Sequence, residues 1–285
     1  MTIGAGRALL GLALDLAGLG AGVRAEEKAK MEQWHDVAEF SYVATAGNSE
    51  TSTLGFKNSL SRAWEKSSFE VKAGAVRGET TTRTSSVVPG PSIQETSSTD
   101  LAAENYFLNG RYDRKITERF FWYAGTGWDR NRFAGVQNRY SGVGGVGNVW
   151  IDEDRVKFRT DYAFSYTKQE NVVEVAGSDD TFPGMRVSSK YLHKLGASTT
   201  YGNDLIVDEN LDETSDFRAD MTNSVTVTMS ARLALKVSLQ SLYDHKPSFE
   251  NVDDPNGLWP PSEPPPTAQL DDLDTIFTAS LVASF

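Results

Sequence analysis

The chain has 285 residues, with 28 Lys and Arg against 39 Asp and Glu, a formal charge of −11 and no cysteine. That balance repels a polyphosphate backbone and argues against a nucleic-acid partner, while the missing cysteines exclude disulfides, thiolate metal sites and thiol nucleophiles. Composition is uniform after the first thirty or so residues, rich in Thr, Ser, Gly, Val and aromatics, and calls for one domain rather than two.

The N-terminus carries the layout of a secretory signal: Arg7, an apolar run from Ala8 to Val23 broken by Asp15, and Val23-Arg24-Ala25 as a small-x-small cleavage site. The expected division is therefore a signal peptide over 1–25, a short periplasmic segment over 26–34 and a barrel over 35–285. No later stretch approaches the ~18 apolar residues of a spanning helix. A membrane role then requires strands in a closed barrel, which also accounts for a mean hydropathy of −0.40, because alternate residues face a wet lumen.

Period-two alternation runs through the rest of the chain. Ala38, Phe40, Tyr42 and Ala44 alternate with Val37, Glu39, Ser41 and Val43, and Leu54, Phe56, Leu60 and Trp64 with Thr53, Gly55, Lys57, Ser59 and Ser61. Val156, Phe158, Tyr162, Phe164 and Tyr166 alternate with Lys157, Arg159, Asp161, Ser165 and Thr167. Phe217 to Val227 repeats the pattern with Asn223 as a polar misfit, and Leu233 to Tyr243 and Leu273 to Phe285 close the series. With the weaker segments included, strands are predicted at 35–46, 50–64, 68–78, 98–112, 119–131, 138–151, 155–168, 186–201, 204–211, 215–228, 230–245 and 271–285.

Short connections follow the even-numbered strands, while the long ones, 79–97, 168–185 and 246–270, all fall at the opposite end. This one-sidedness predicts an all-β fold: a transmembrane antiparallel up-and-down β-barrel of about 12 strands, with long extracellular loops, short periplasmic turns and both termini in the periplasm. Trp34, Trp64, Tyr112, Phe120, Trp122 and Trp150 fall near one rim and Tyr42, Trp128, Tyr166 and Tyr243 near the other, as two interfacial girdles. The last strand ends flush on Phe285, in the manner of the terminal signal read by the outer-membrane assembly machinery.

The opening Phe40-Ser-Tyr-Val-Ala-Thr-Ala-Gly-Asn-Ser-Glu-Thr51, the segment Leu192-His-Lys-Leu-Gly-Ala-Ser-Thr-Thr-Tyr201 and the run from Ser230 through Tyr243 to Pro247 resemble the family of salt-induced outer membrane proteins. The resemblance spans roughly Phe40 to Phe285. It implies an outer-membrane barrel and a link to salt or osmotic conditions, and it brings no catalytic residues. The Pro-rich link 246–270 is longer than that family's usual one.

Few residues suggest chemistry. Asp244 and His245 could activate water in a barrel hydrolase, but neighbours on a strand point to opposite faces. Asp208, Glu209, Asp212, Glu213 and Asp216 form an acidic outer cluster with oxygen ligands suited to a hard cation, at no calcium-loop spacing. His35 and His193 have no partner at ligand spacing. Gly142 to Gly147 contains a nucleotide-loop pattern with no helix after it, so its glycines are read as shaping the barrel. No catalytic residue, metal or cofactor is therefore assigned.

The functional expectation rests on the inward residues: Glu39, Glu70, Lys72, Asp129, Lys157, Arg159, Asp161, Arg218, Asp220, Arg232, Lys236, Asp272 and Asp274. Both signs are present. They either pair across a closed, structural lumen or line a small water-filled pore. A hydrolase at the outer mouth and a soluble lipocalin-like binding barrel are the alternative classes.

Overall fold

The computed structural model describes residues 33–45, 49–88, 92–173, 180–251 and 267–285. The expected signal peptide and nearly all of the short segment after it lie outside these residues.

Twelve antiparallel strands close into one barrel: β1 (Trp34–Thr45), β2 (Ser49–Ala63), β3 (Ser67–Val88), β4 (Ser92–Lys115), β5 (Phe120–Asn131), β6 (Val136–Asp152), β7 (Val156–Asn171), β8 (Thr181–Lys194), β9 (Thr199–Asn210), β10 (Phe217–Thr228), β11 (Leu233–Asp244) and β14 (Leu273–Ser284). Each neighbours the next in sequence, and β1 meets β14 to close the ring. A two-stranded ribbon, β12 (Phe249–Asn251) and β13 (Thr267–Gln269), interrupts the link between β11 and β14. The described helical residues are one 3-10 turn, Arg132–Ala134, ended by Gly135 at φ 71°.

Alternation decides which way each side chain points. Phe164 (69% exposed), Phe40, Leu54, Leu235 and Phe277 stand outside, while Asp161 (2%), Thr222, Lys236, Ser238, Gln240 and Ser280 are buried inside. A soluble protein would reverse this, hiding its large apolar side chains. The apolar exterior and polar interior are the pattern of a barrel surrounded by hydrocarbon, and strands of 12 residues or more exceed the 9–11 needed to cross it tilted.

Several expected boundaries move. The eighth and ninth strands were expected to turn at Gly202-Asn203, since such a dipeptide is a strong hairpin signal. Instead both residues lie inside β9, and the chain turns at 195–198, where Leu195 N–H donates to Thr199 C=O at 2.9 Å. The outward aromatics Tyr191, His193 and Tyr201 pack edge-on across this turn and hold that register. The expected loop 79–97 is mostly strand: β3 and β4 run past a bulge at Gly78/Glu79, and among the described residues Arg83–Val88 pairs with Ser92–Ser97 alone. β11 begins later than expected because Met229 N–H donates to Leu233 C=O and the Ser230 hydroxyl accepts from Arg232 and Leu233 N–H. This puts Arg232 on an exposed turn rather than in the lumen.

Candidate functional site: the charged lumen and its covered mouth

One wall of the lumen carries a closed ring of four charges. Arg111 and Asp113 come from β4, and Arg159 and Asp161 from β7, three strands further round. Arg111 donates from Nε to Asp113 at 2.6 Å and from an Nη to Asp161 at 2.8 Å, and Arg159 donates to Asp161 at 3.0 Å and to Asp113 at 3.5 Å. Each carboxylate thus meets both guanidiniums, the arrangement in which buried ion pairs are strongest.

Small residues make this reach possible. Between β4 and β7, the inward face of β5 carries Gly125 and Gly127 and that of β6 carries Gly145 and Gly147. A Cβ at Gly147 would stand 2.6 Å from an Asp161 carboxylate oxygen and closer still to the Phe121 ring, so a side chain there would displace both. The expectation that these glycines shape the barrel holds for Gly145 and Gly147, whereas Gly142 and Gly144 face outward into open space. The ring is buttressed by aromatics: Tyr123 lies 3.8 Å from the Arg111 guanidinium and Phe121 5.3 Å from that of Arg159, distances at which cation–π attraction operates.

Further pairs extend the charged lining. Arg186 on β8 grips Asp208 on β9 through two bonds of 2.7 and 2.9 Å, with Lys190 and Asp204 below them at 3.3 Å. Lys72 and Glu70 pair on β3 at 3.1 Å. Across the closing strands Lys236 reaches over β14 to Glu39 on β1 at 3.1 and 3.3 Å, both nearly fully buried. Asp220 accepts two bonds from the Gln240 amide at 3.0 Å. A cavity of about 110 Å³ beside the ring is lined by Lys72, Arg111, Tyr123, Arg159, Arg186 and Asp204.

Toward the outer end a second cavity of about 260 Å³ gathers Asp129, Arg139, Arg218, Asp244, Asp272 and Asp274. Asp129 and Arg139 stand 3.8 Å apart, and Arg218 donates to Gln169 at 3.0 Å beneath the Phe182 ring. The described ends of the link after β11, 245–251 and 267–272, cross above this cavity. Ser248 donates to Asn171 on β7 at 3.3 Å, and a Cβ at Gly135 would press on Ser248 Oγ at 3.1 Å and on Leu270 Cδ1 at 3.2 Å. A strap rooted in β11 and β14 therefore rests on β7 and on the turn after β5, nearly opposite in the ring. Pro247 and Leu270 line the cavity below it.

The inward residues expected from alternation divide accordingly. Glu39, Glu70, Lys72, Arg159, Asp161 and Lys236 line the middle of the lumen, and Asp129, Arg218, Asp220, Asp272 and Asp274 line the outer cavity. Lys157 pairs with Asp152 at 2.6 Å beside the turn after β6, away from the ring. Arg111, Asp113, Lys190, Asp204 and the inward role of Asp208 were missed. Arg111 sits at the end of the fourth expected strand, 98–112, and Asp113 in the connection expected after it, which the structure makes part of β4, while the others were obscured by the misplaced turn at Gly202. The alternation of Arg186, Ser188 and Lys190 with Met185, Val187 and Ser189 was the available signal.

The acidic outer cluster separates. Asp208 points inward to Arg186, Asn210 donates to Asp216 at 3.0 Å, and Glu213 pairs with Lys246. Among the described residues no group of His, Asp and Glu is placed to hold a metal ion. Asp244 lines the outer cavity, whereas His245 accepts from or donates to the Tyr243 hydroxyl at 3.0 Å and stacks on Phe217. The imidazole and carboxylate form no shared site.

The family model described as a protein of unknown function, DUF481, matches residues 38–255. The chain belongs to that family. No curated protein matches it. Among solved structures this DUF481 member is similar in fold to the NanC porin, at 10% identity and a TM-score of 0.46, covering 87% of this chain and 98% of that one. It is also similar to the KdgM porin, at 8% identity and a TM-score of 0.44 with 89% and 99% covered, and to the COG4313 outer membrane channel from Pseudomonas putida F1, at 10% and 0.45 with 88% and 95% covered.

Proposed function

We propose that this chain is an outer-membrane channel whose narrow lumen admits ions and small hydrophilic solutes and responds to external salt. The observation that carries this reading is the ion-paired ring of Arg111, Asp113, Arg159 and Asp161 inside a barrel with an apolar exterior. An inert plug would be cheaper to build from apolar side chains, because burying charge costs several kcal/mol per ion even when the charges are paired, roughly as much as the pairing returns. Charges that hold one another at 2.6–3.5 Å make a constriction with fixed donors and acceptors, the chemistry by which pores select.

Ionic strength acts on this machinery directly, because mobile ions weaken such pairs where water reaches them. That agrees with the salt-induced family that the sequence resembles. Delivery to the membrane belongs to the same reading: Phe285 is exposed at the end of the last strand, where the assembly machinery could read it, with its backbone paired to Asp36 at 2.9 and 3.3 Å.

Single-channel conductance of the refolded protein in planar bilayers tests the proposal. Discrete steps are expected, growing more steeply with salt concentration than the bulk electrolyte does. The variant R111Q/D113N/R159Q/D161N, which keeps size and removes charge, is expected to conduct with altered ion selectivity. Absence of steps in both proteins, with the barrel shown to be folded by its heat-shifted gel mobility, would overturn the channel reading in favour of a structural role.

A further inference from the structure

The ring of strands is not sealed over its whole height. β1 pairs with β2 from Trp34 to Thr45, and β14 pairs with β11 from Leu273 to Ala283. Against each other these two strands pair only from Val37 to Phe40 and from Leu281 to Ser284, with Asp36 and Phe285 bonded below. Among the described residues no ladder pair joins Ser41–Thr45 to Leu273–Ser280. The outer half of the seam is therefore a slot with a strand edge on each side.

Unpaired peptide groups facing hydrocarbon cost several kcal/mol each, so a membrane barrel normally leaves none. Apolar side chains lie beside the slot on both faces. Ile276 is the inward residue of β14 level with Gln240, yet it is apolar and 38% exposed. Outside, Tyr42 (68%) and Phe277 (67%) flank the opening. For an acyl chain the two axial routes are narrow and polar: the strap crosses the outer mouth, and the charged ring lines the middle.

We propose that the slot is a lateral passage between the outer cavity and the bilayer, and that its occupant is an acyl-chain amphiphile. The N–H groups of the edges would donate to its ester or carboxyl oxygens, while its chain lies against Tyr42, Ile276 and Phe277. This goes beyond the axial pore proposed above, and it stands or falls separately, since conductance does not report on the seam.

The natural lack of cysteine makes the test direct. The bond pattern at Asp36 and Phe285 puts Phe40/Leu281, and by continuation Ala44/Phe277, in the same class of ladder position. In liposomes, F40C/L281C is expected to form its disulfide readily on mild oxidation, and A44C/F277C at least about tenfold more slowly, because separated Cα atoms cannot be bridged. A bimane label on I276C is then expected to be quenched by phosphatidylcholine brominated in its acyl chains almost as strongly as one on the outward V237C, while a label on S141C across the lumen is not. Equal cross-linking of the two pairs would mean a zipped barrel and would overturn the slot. Quenching at Ile276 no greater than at Ser141 would overturn the amphiphile.

Discussion

The two sides of this barrel are built on opposite principles. From β4 to β7 the wall is over-determined, with ladders that run nearly the full length of the strands, four charges sharing each other's bonds, and aromatic rings set over glycines. At β1 and β14 closure rests on a short run of pairs and one buried ion pair reaching over the seam from β11. The contrast teaches that a closed barrel need not be uniformly closed: rigidity can be concentrated where solute is screened and withheld where the wall must yield.

Removing a charge from the stiff wall has the largest expected consequence. D161A leaves two guanidiniums with one shared carboxylate, Asp113, in place of two, and such a loss costs about 3–5 kcal/mol. Urea unfolding in detergent micelles should show it, and a change below 1 kcal/mol would mean that water already carries the ring.

On the weak side, K236M leaves Glu39 with Lys57, its partner across the β1–β2 ladder, as its neighbouring cation and is expected to cost up to about 3 kcal/mol, whereas K236M/E39L should recover part of that, since apolar replacement of a whole pair is often neutral. The same unfolding experiment measures both, and non-recovery would give the pair a role beyond neutralisation. G147V crowds Asp161 and Phe121 and should destabilise by about 1–3 kcal/mol. The equivalent substitution at the outward Gly144, which has open space around it, should not.

The smallest effect concerns the slot itself. Y42A should alter stability by about 0.5 kcal/mol or less, as for a surface site without partners. Hydrogen exchange sharpens the comparison without mutation: amides on the open edges of β1 and β14 should exchange well before those of β5 to β7. Uniform protection would erase the distinction between the two walls.

Most of the architecture was legible from alternation because period two is dictated by the pleat and by solvent on one side only. What alternation could not supply was register. The Gly202-Asn203 pair imitates a turn, and only the packing of Tyr191, His193 and Tyr201 across strands shows that the turn lies earlier. The polar misfit Asn223 has a similar explanation: on the outward face it accepts from the Tyr201 hydroxyl at 2.7 Å and from Asn203 at 2.9 Å, so its amide is partnered. The inward charges could be enumerated from sequence, but the pairing of Arg111 with Asp161 could not, because it spans two intervening strands whose glycines gave no sign of what passes over them.

The ribbon of β3 and β4 carries a different implication. Arg83–Val88 and Ser92–Ser97 climb six residues above the last rung shared with β2, roughly 20 Å at the rise of a strand. In the outer-membrane placement proposed above, whatever approaches the cell from outside, whether antibody, phage or protease, meets this projection before it meets the wall. An epitope inserted between Val88 and Ser92 would therefore be displayed at the cell surface on a stalk already supplied by the fold.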